Sequence, residues 1–539
     1  HYAMAVAFTH SPYTRQGCAA TSVPAARPRL SSGCNLHTKP LFGCLATAAL
    51  VASRTLKHKA HRQRRGAFQL ASTQDDMCSD YLRFVNKTGS PAHTVAAAKE
   101  LLLEAGFTEL SDTGAAWVLE PGNGYFVTMQ GTSIAAFGVG EQFGDGTSGG
   151  VVVAAAHTDS PCLKLRPCSK LPTKAGLLQL GVNTYGGGLW HTWFDRPLGM
   201  AGTIVVSTES GMEQRLVHIP EPLCVIPNLA IHLTNAEERK GFSPNTETQL
   251  RPVLCMPPEK QTAAVTSDAE GASSAPSKFF KGFGPKHHVE LLEEIAKAAD
   301  VAAERILDVD ICLMDAAPAC SMGQFVSSPR IDNVLSTWAA FSSLATVVKE
   351  GGLKDSSDVL VAASFDHEEV GSTSATGADS AVLGRWLEQA LSGINDTKFA
   401  EVVSRSFLLS CDCAHGLHPN YASKHQNEHR PLLGHGSVIK TNANQRYATT
   451  PLLAQMVREL ARRAETPMQE FVVRNDCPCG STIGPLLSAQ LGIRTVDVGA
   501  PQWAMHSIRE TAHADDVTAL HGLCKGLYQH WRDVDSNTV

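Results

Sequence analysis

Four short runs in this chain are apolar or small at nearly every position: Val151 to Ala156, Val359 to Phe365, Ser406 to Ser410 and Thr495 to Val498. A strand with one wetted face alternates polar and apolar residues, so runs without alternation predict strands covered on both faces. Helical stretches lie between them. In one, Val334, Trp338, Phe341, Ala345 and Val348 share a face before Gly351 and Gly352; in an earlier one, Val95, Ala98, Leu102 and Ala105 align before Gly106. The pattern predicts an α/β fold, a mixed central sheet flanked by helices.

Each run leads into a His, Asp or Glu. The first ends in His157, Thr158 and Asp159; the second in Asp366, His367, Glu368 and Glu369; the third in Cys411 and Asp412; and the last leads on to Met505 and His506. Asp332 follows Pro329 and Arg330 at the start of a predicted helix. Open α/β sheets bind ligands at the carboxyl ends of their strands, so residues far apart in sequence converge there. Alone, each has an ordinary reading: an Asp before a helix is usually an N-cap, a His a surface or core residue, a Glu-Glu pair a solvated face. Together, imidazoles and carboxylates without thiolates suit Zn, Mn or Co better than an iron–sulfur or purely structural zinc site. Asp159, two residues beyond His157 in an extended chain, can support that imidazole.

The stretch from 163 to 315 differs in character. It has alternating segments such as Gly202 to Ser207, the glycine run Gly186 to Gly188, and a Ser/Ala/Gly/Pro tract at 262 to 278, which together predict a β-rich insertion with a surface loop. The chain therefore divides into a leader or disordered extension (1–75), a first catalytic segment (76–162), the insertion (163–315) and a second catalytic segment (316–539).

Charge and cysteine content narrow the function. Residues 1 to 74 carry ten Lys or Arg and no acid, leaving 36 basic residues against 52 acidic ones from position 75 on. So acidic a body is poorly suited to neutralise phosphates, and no nucleic-acid partner is expected. The apolar run Leu41 to Ala52 is too short to span a bilayer, so no membrane partner is expected, but with Arg62, Arg64 and Arg65 it fits a leader directed to an organelle, plastid or mitochondrion. The alternative is a cytoplasmic protein with a disordered extension. The 15 cysteines show no CxxC spacing, which favours reduced thiols; Cys411/Cys413 and Cys477/Cys479 are CxC pairs.

The motifs His157-Thr-Asp-Ser-Pro161, Tyr185-Gly-Gly-Gly-Leu-Trp190 with Trp193-Phe-Asp-Arg196, Asn228-Leu-Ala-Ile-His232, Pro329-Arg-Ile-Asp-Asn333, His367-Glu-Glu-Val-Gly371, His415 through Asn420 and Met505-His-Ser-Ile-Arg-Glu510 resemble those of the aspartyl aminopeptidases, metallopeptidases of the aminopeptidase-I type, over about residues 78 to 530. The resemblance implies a two-metal aminopeptidase fold whose insertion is a dimerisation domain. It implies two divalent ions per subunit, zinc in both positions: Asp332 bridges them, His157 and Asp412 complete one ligand set, and Glu369 and His506 complete the other. Glu368 matches the general base and Asp159 the residue supporting His157. The resemblance further implies release of N-terminal Asp or Glu from peptides, with Lys440, His415, His429 and Tyr447 at the substrate and His232 lent to a neighbouring subunit. Dimers assembling into a dodecamer would follow. The rival readings are a related two-metal aminopeptidase of different side-chain preference and a catalytically silent scaffold shell.

Overall fold

The computed structural model describes residues 77–114, 116–144, 149–257 and 286–538. The expected leader or extension (1–75) and the tract at 262 to 278 lie outside the described residues. Among them, the central sheet has nine strands in the spatial order Thr108–Glu109, Gly124–Met129, Ser133–Val139, Val359–Phe365, Val151–His157, Phe407–Cys411, Arg494–Gly499, Ser437–Lys440 and Met468–Phe471.

Four neighbours in the middle of this sheet run parallel, and they are the four apolar runs, displaced by a residue at some ends. Their register places Phe365 opposite His157 and Cys411 opposite Val498, so the polar residues after each strand emerge along one edge. Strands on either side pair antiparallel, Ser133–Val139 with Val359–Phe365 and Ser437–Lys440 with Arg494–Gly499, which makes the sheet mixed.

Alternate residues of each strand enter different cores. Val152, Ala154, Ala362, Leu409 and Val496 pack on one face with Val334, Trp338 and Phe341 of helix Ile331–Lys349 and Leu520, Leu527 and Trp531 of helix Ala514–Ser536. Val153, Val361, Ala363 and Leu408 face Trp386 and Leu387 of helix Val382–Asn395 and Leu487 of helix Ile483–Leu491. Burial on both faces is why these strands are apolar throughout. The earlier predicted helix is Pro91–Glu104, with Val95, Ala98 and Leu102 buried; Ala105 caps it and Gly106 follows with φ 84°.

A second body is a closed barrel ordered Ile306–Asp315, Cys162–Lys170, Leu178–Tyr185, Val253–Cys255, Gly211–Val225 and Pro197–Thr208. Leu163, Leu180, Met200, Ile204, Val217, Ile311 and Leu313 fill it, and Leu291 and Ile295 of helix Val289–Ala299 join that core. A third sheet pairs Cys320–Met322, Phe325–Ser328, Glu510–His513, Pro501–Trp503 and Ala414–His415. No helix among the described residues is long and apolar enough to cross a membrane.

Candidate metal centre

The shared strand edge brings His157, Asp332, Glu368, Glu369, Asp412 and His506 into one cluster. His157, Asp332 and Asp412 each offer a ligand atom within 4.8 Å of the others, and so do Asp332, Glu369 and His506; a third group combines His157, Glu368 and Glu369. Asp332 joins the first two groups. Its Oδ1 lies 3.4 Å from His157 Nε2 and its Oδ2 3.4 Å from His506 Nε2. Although it stands at the start of helix Ile331–Lys349, Asp332 makes no side-chain cap and keeps a non-helical backbone (φ −82°, ψ 107°), which turns the carboxylate into the cluster.

The other ligand atoms are held through backbone and ring hydrogen bonds. His157 Nδ1 donates to the Asp159 carbonyl at 3.1 Å, leaving Nε2 toward Asp332, Glu368 and Asp412. His506 uses Nδ1 on the Gly187 carbonyl at 3.2 Å, and its Nε2 lies 3.4 Å from Glu369 Oε2. Fixing one ring nitrogen in this way sets which nitrogen is free as a ligand. Asp159, fully buried, accepts the backbone N–H groups of Glu368 (3.1 Å) and Glu369 (3.0 Å) and the Tyr185 hydroxyl (2.6 Å). It thereby supports the turn carrying both glutamates as well as His157. Gly186 permits this packing: it has φ 74°, and a Cβ there would meet Glu369 Cβ at 3.1 Å.

Glu510 ends the motif Met505–Glu510, which by itself gives it no role. Its Oε2 accepts the Asp332 N–H at 3.0 Å and its Oε1 the His506 N–H at 2.8 Å, so one buried carboxylate fixes the backbones of two ligand residues. The available signal was an acid four residues beyond His506.

The electrostatics are those of a site with too many anions. Burial opposes charge on Glu368 and, with Asp412, Asp159 and Asp332 nearby, pushes its pKa up to about 8. Burial and Asp332 likewise push Glu369 well above the usual carboxylate range. Burial disfavours the imidazolium of His506, yet Asp332 and Glu369 raise it to about 10. Asp332 Oδ1 and Glu369 Oε1 are buried without a hydrogen-bond partner. Unpartnered, like-charged oxygens facing free imidazole nitrogens are costly unless a cation neutralises them, so the donor set fits divalent metal.

Of the remaining candidates, Lys440 and Tyr447 adjoin the cluster through Asp412. Lys440 is 2% exposed; its Nζ lies 3.3 Å from Asp412 Oδ2, donates to the Asp412 and Cys413 carbonyls at 3.0 and 3.1 Å, and sits 4.9 Å from the centre of the Tyr447 ring. Burial alone would discharge this ammonium, but Asp412 holds its pKa above the ordinary value. His415 is exposed and meets Phe471 edge-on at 5.4 Å. His429 is half-buried, its Nδ1 2.8 Å from Gln426 Oε1. His232 is not brought to the cluster by its own chain: it lies on the exposed turn Ile231–Leu233 beside Leu229, Ile231 and Leu233, each more than half exposed. Cys411 and Cys413 are buried; their Sγ atoms contact Cys524 Sγ at 3.9 Å and the Ile331 carbonyl at 3.5 Å, respectively.

Residues 84–528 match the family model of the aminopeptidase I zinc metalloproteases (M18). The chain is 41% identical to aspartyl aminopeptidase of Caenorhabditis elegans over 461 residues, covering 85% of this chain and 96% of the relative. It is 43% identical over 489 residues to aspartyl aminopeptidase of Aspergillus oryzae, covering 85% and 97%. Among solved structures, the fold superposes on a chain of the Ape4–Nbr1 complex with a TM-score of 0.80 at 38% identity, covering 87% of this chain and 88% of that one. It also superposes on a chain of the Saccharomyces cerevisiae mApe1 dodecamer with a TM-score of 0.73 at 28% identity, covering 86% and 98%.

Proposed function

This chain belongs to the M18 family of aminopeptidase I zinc metalloproteases, and from that premise we propose that it releases N-terminal Asp and Glu from peptides at two divalent metal ions, zinc in both positions. The observation that carries the reading is that two ligand groups, His157–Asp332–Asp412 and Asp332–Glu369–His506, share one carboxylate. Ions bound there would supply Lewis acidity toward the substrate carbonyl and acidify an attacking water.

The protein's own groups do the rest. Glu368, beside His157 and outside the two ligand sets, takes the proton from the attacking water and passes it to the leaving amine. Asp159 keeps its backbone in place by accepting its N–H at 3.1 Å. Lys440 and Tyr447, adjacent to Asp412, mark the side of the site where a substrate carboxylate would find a cation. Aspartyl aminopeptidase as the description of the relatives supports the acidic preference.

The same reading assigns residues 76–162 and 316–539 to the catalytic body and 163–315 to a dimerisation domain. The dodecameric state of mApe1 supports a homo-oligomer, dimers joining as twelve subunits, with His232 serving a neighbouring site. Competing peptides differing only at the N-terminal residue test the preference: Asp and Glu should leave fastest, and faster release of Leu or Lys would favour a related aminopeptidase of different specificity.

A further inference from the structure

The loop that carries His506 is fastened to two bodies at once. On the catalytic side, Glu510 accepts the His506 and Asp332 N–H groups. On the barrel side, the Leu189 N–H donates to the His506 carbonyl at 2.8 Å, His506 Nδ1 meets the Gly187 carbonyl, the Ile508 N–H donates to Thr192 Oγ1 at 3.0 Å, and the Ile508 side chain is buried in the barrel core. Between these attachments the backbone takes left-handed conformations at Ala504 (φ 60°) and His506 (φ 66°). Non-glycine residues adopt that region only when their surroundings impose it.

The strongest single attachment is ionic. Arg509 Nη1 lies 3.0 Å from Oδ2 of Asp315, the last residue of barrel strand Ile306–Asp315, and the same oxygen pairs with Arg196. The Asp315 side chain is completely buried, and its Oδ1 accepts the Ala317 N–H. Arg509 uses its other donors on the Ala317, Pro318 and Ser327 carbonyls and Ser327 Oγ. A buried carboxylate held by two guanidinium groups is an anchor whose removal leaves uncompensated positive charge.

We propose that Asp315 is a positioning residue for His506, acting through Arg509, so that the seating of the barrel against the catalytic body sets the geometry of the Asp332–Glu369–His506 ligand group. Asp315 touches none of the metal-ligand candidates. Its effect passes along three residues of one loop, from Arg509 to His506. The inference rests on the two-ion reading above.

The test is metal content and metal reactivation of the purified full chain, comparing wild type with Asp315→Asn and Arg509→Lys. After dialysis against metal-free buffer, Asp315→Asn should retain one zinc fewer per subunit than wild type, and its zinc midpoint for reactivation should rise at least tenfold, with KM for an acidic substrate changed less than threefold. Arg509→Lys, which keeps the charge and loses the fork, should fall between them and serves if Asp315→Asn does not fold. A merely structural role would lower thermal stability without moving the midpoint of the folded fraction. Wild-type content and an unshifted midpoint in folded Asp315→Asn would overturn the proposal. A wild type that binds only one ion would overturn the two-ion reading instead, while the midpoint shift would still report on Asp315.

Discussion

Asp159 receives the backbone N–H of Glu368 while His157, two residues before it, directs Nε2 to within 3.8 Å of the Glu368 carboxylate. Backbone support and side-chain contact therefore reach the same glutamate from one strand end. Glu368→Gln preserves the shape and the N–H bond and removes the proton carrier. We expect kcat to fall by about 10²- to 10⁴-fold with metal content unchanged, read by steady-state kinetics alongside metal analysis. Activity within a few-fold of wild type would take Glu368 out of its role.

Lys440 is shared between Asp412 and the proposed position of a substrate carboxylate. Lys440→Met should reduce kcat/KM for N-terminal Asp peptides by about 10- to 100-fold, the worth of one hydrogen bond to a charged group. It should cost neutral N-terminal residues less. Equal losses for acidic and neutral peptides would place Lys440 in support of Asp412 alone.

Metal removal should abolish activity and lower stability together, because the ligand atoms come from a strand end, a helix start and loops that are far apart in sequence. At a free zinc concentration 100 to 1,000 times Kd, bound metal stabilises the fold by roughly 3 to 4 kcal/mol per site. Thermal unfolding with and without chelator reads this directly; an unchanged Tm on complete demetallation would contradict it.

Two buried histidines outside the ligand groups predict acid sensitivity. Burial depresses His93 and His521 to about 4, helped by His218 and Arg330 at the first and by Lys525 at the second. The unfolded chain gains a proton on each below about pH 6.5 while the folded chain does not until about pH 4, so their contribution falls as pH drops through that window and is complete above it. The loss is on the order of 2 to 3 kcal/mol for each group. Urea midpoints at pH 7.5 and pH 5 should be closer together in His521→Leu than in wild type; an identical pH dependence would remove His521 from this account.

Much of the catalytic body was legible because both faces of its strands are covered, which leaves an unbroken apolar signature at Val151–His157 and Val359–Phe365. The polar residues after those strands could be grouped because a parallel sheet aligns its strand ends. Ser133–Val139 is just as buried yet carries no strand signature, since SIAAFGV mixes small residues without a β-branched run. Tyr185 has no spacing signature because its partner is a carboxylate on a distant segment, and Glu510 offers only its place four residues beyond His506, since its other partner, the Asp332 N–H, lies 178 residues away. Asp315 and Arg509 meet across the barrel junction, a contact that depends on tertiary packing alone.

In the proposed centre, five side chains hold two ions through one shared carboxylate. Anomalous diffraction at the zinc edge from crystals of the purified enzyme tests it most directly. Two peaks about 3.5 to 4 Å apart, one ligated by His157, Asp332 and Asp412 and the other by Asp332, Glu369 and His506, are the predicted result; an active enzyme with no peak at Asp332 would contradict it.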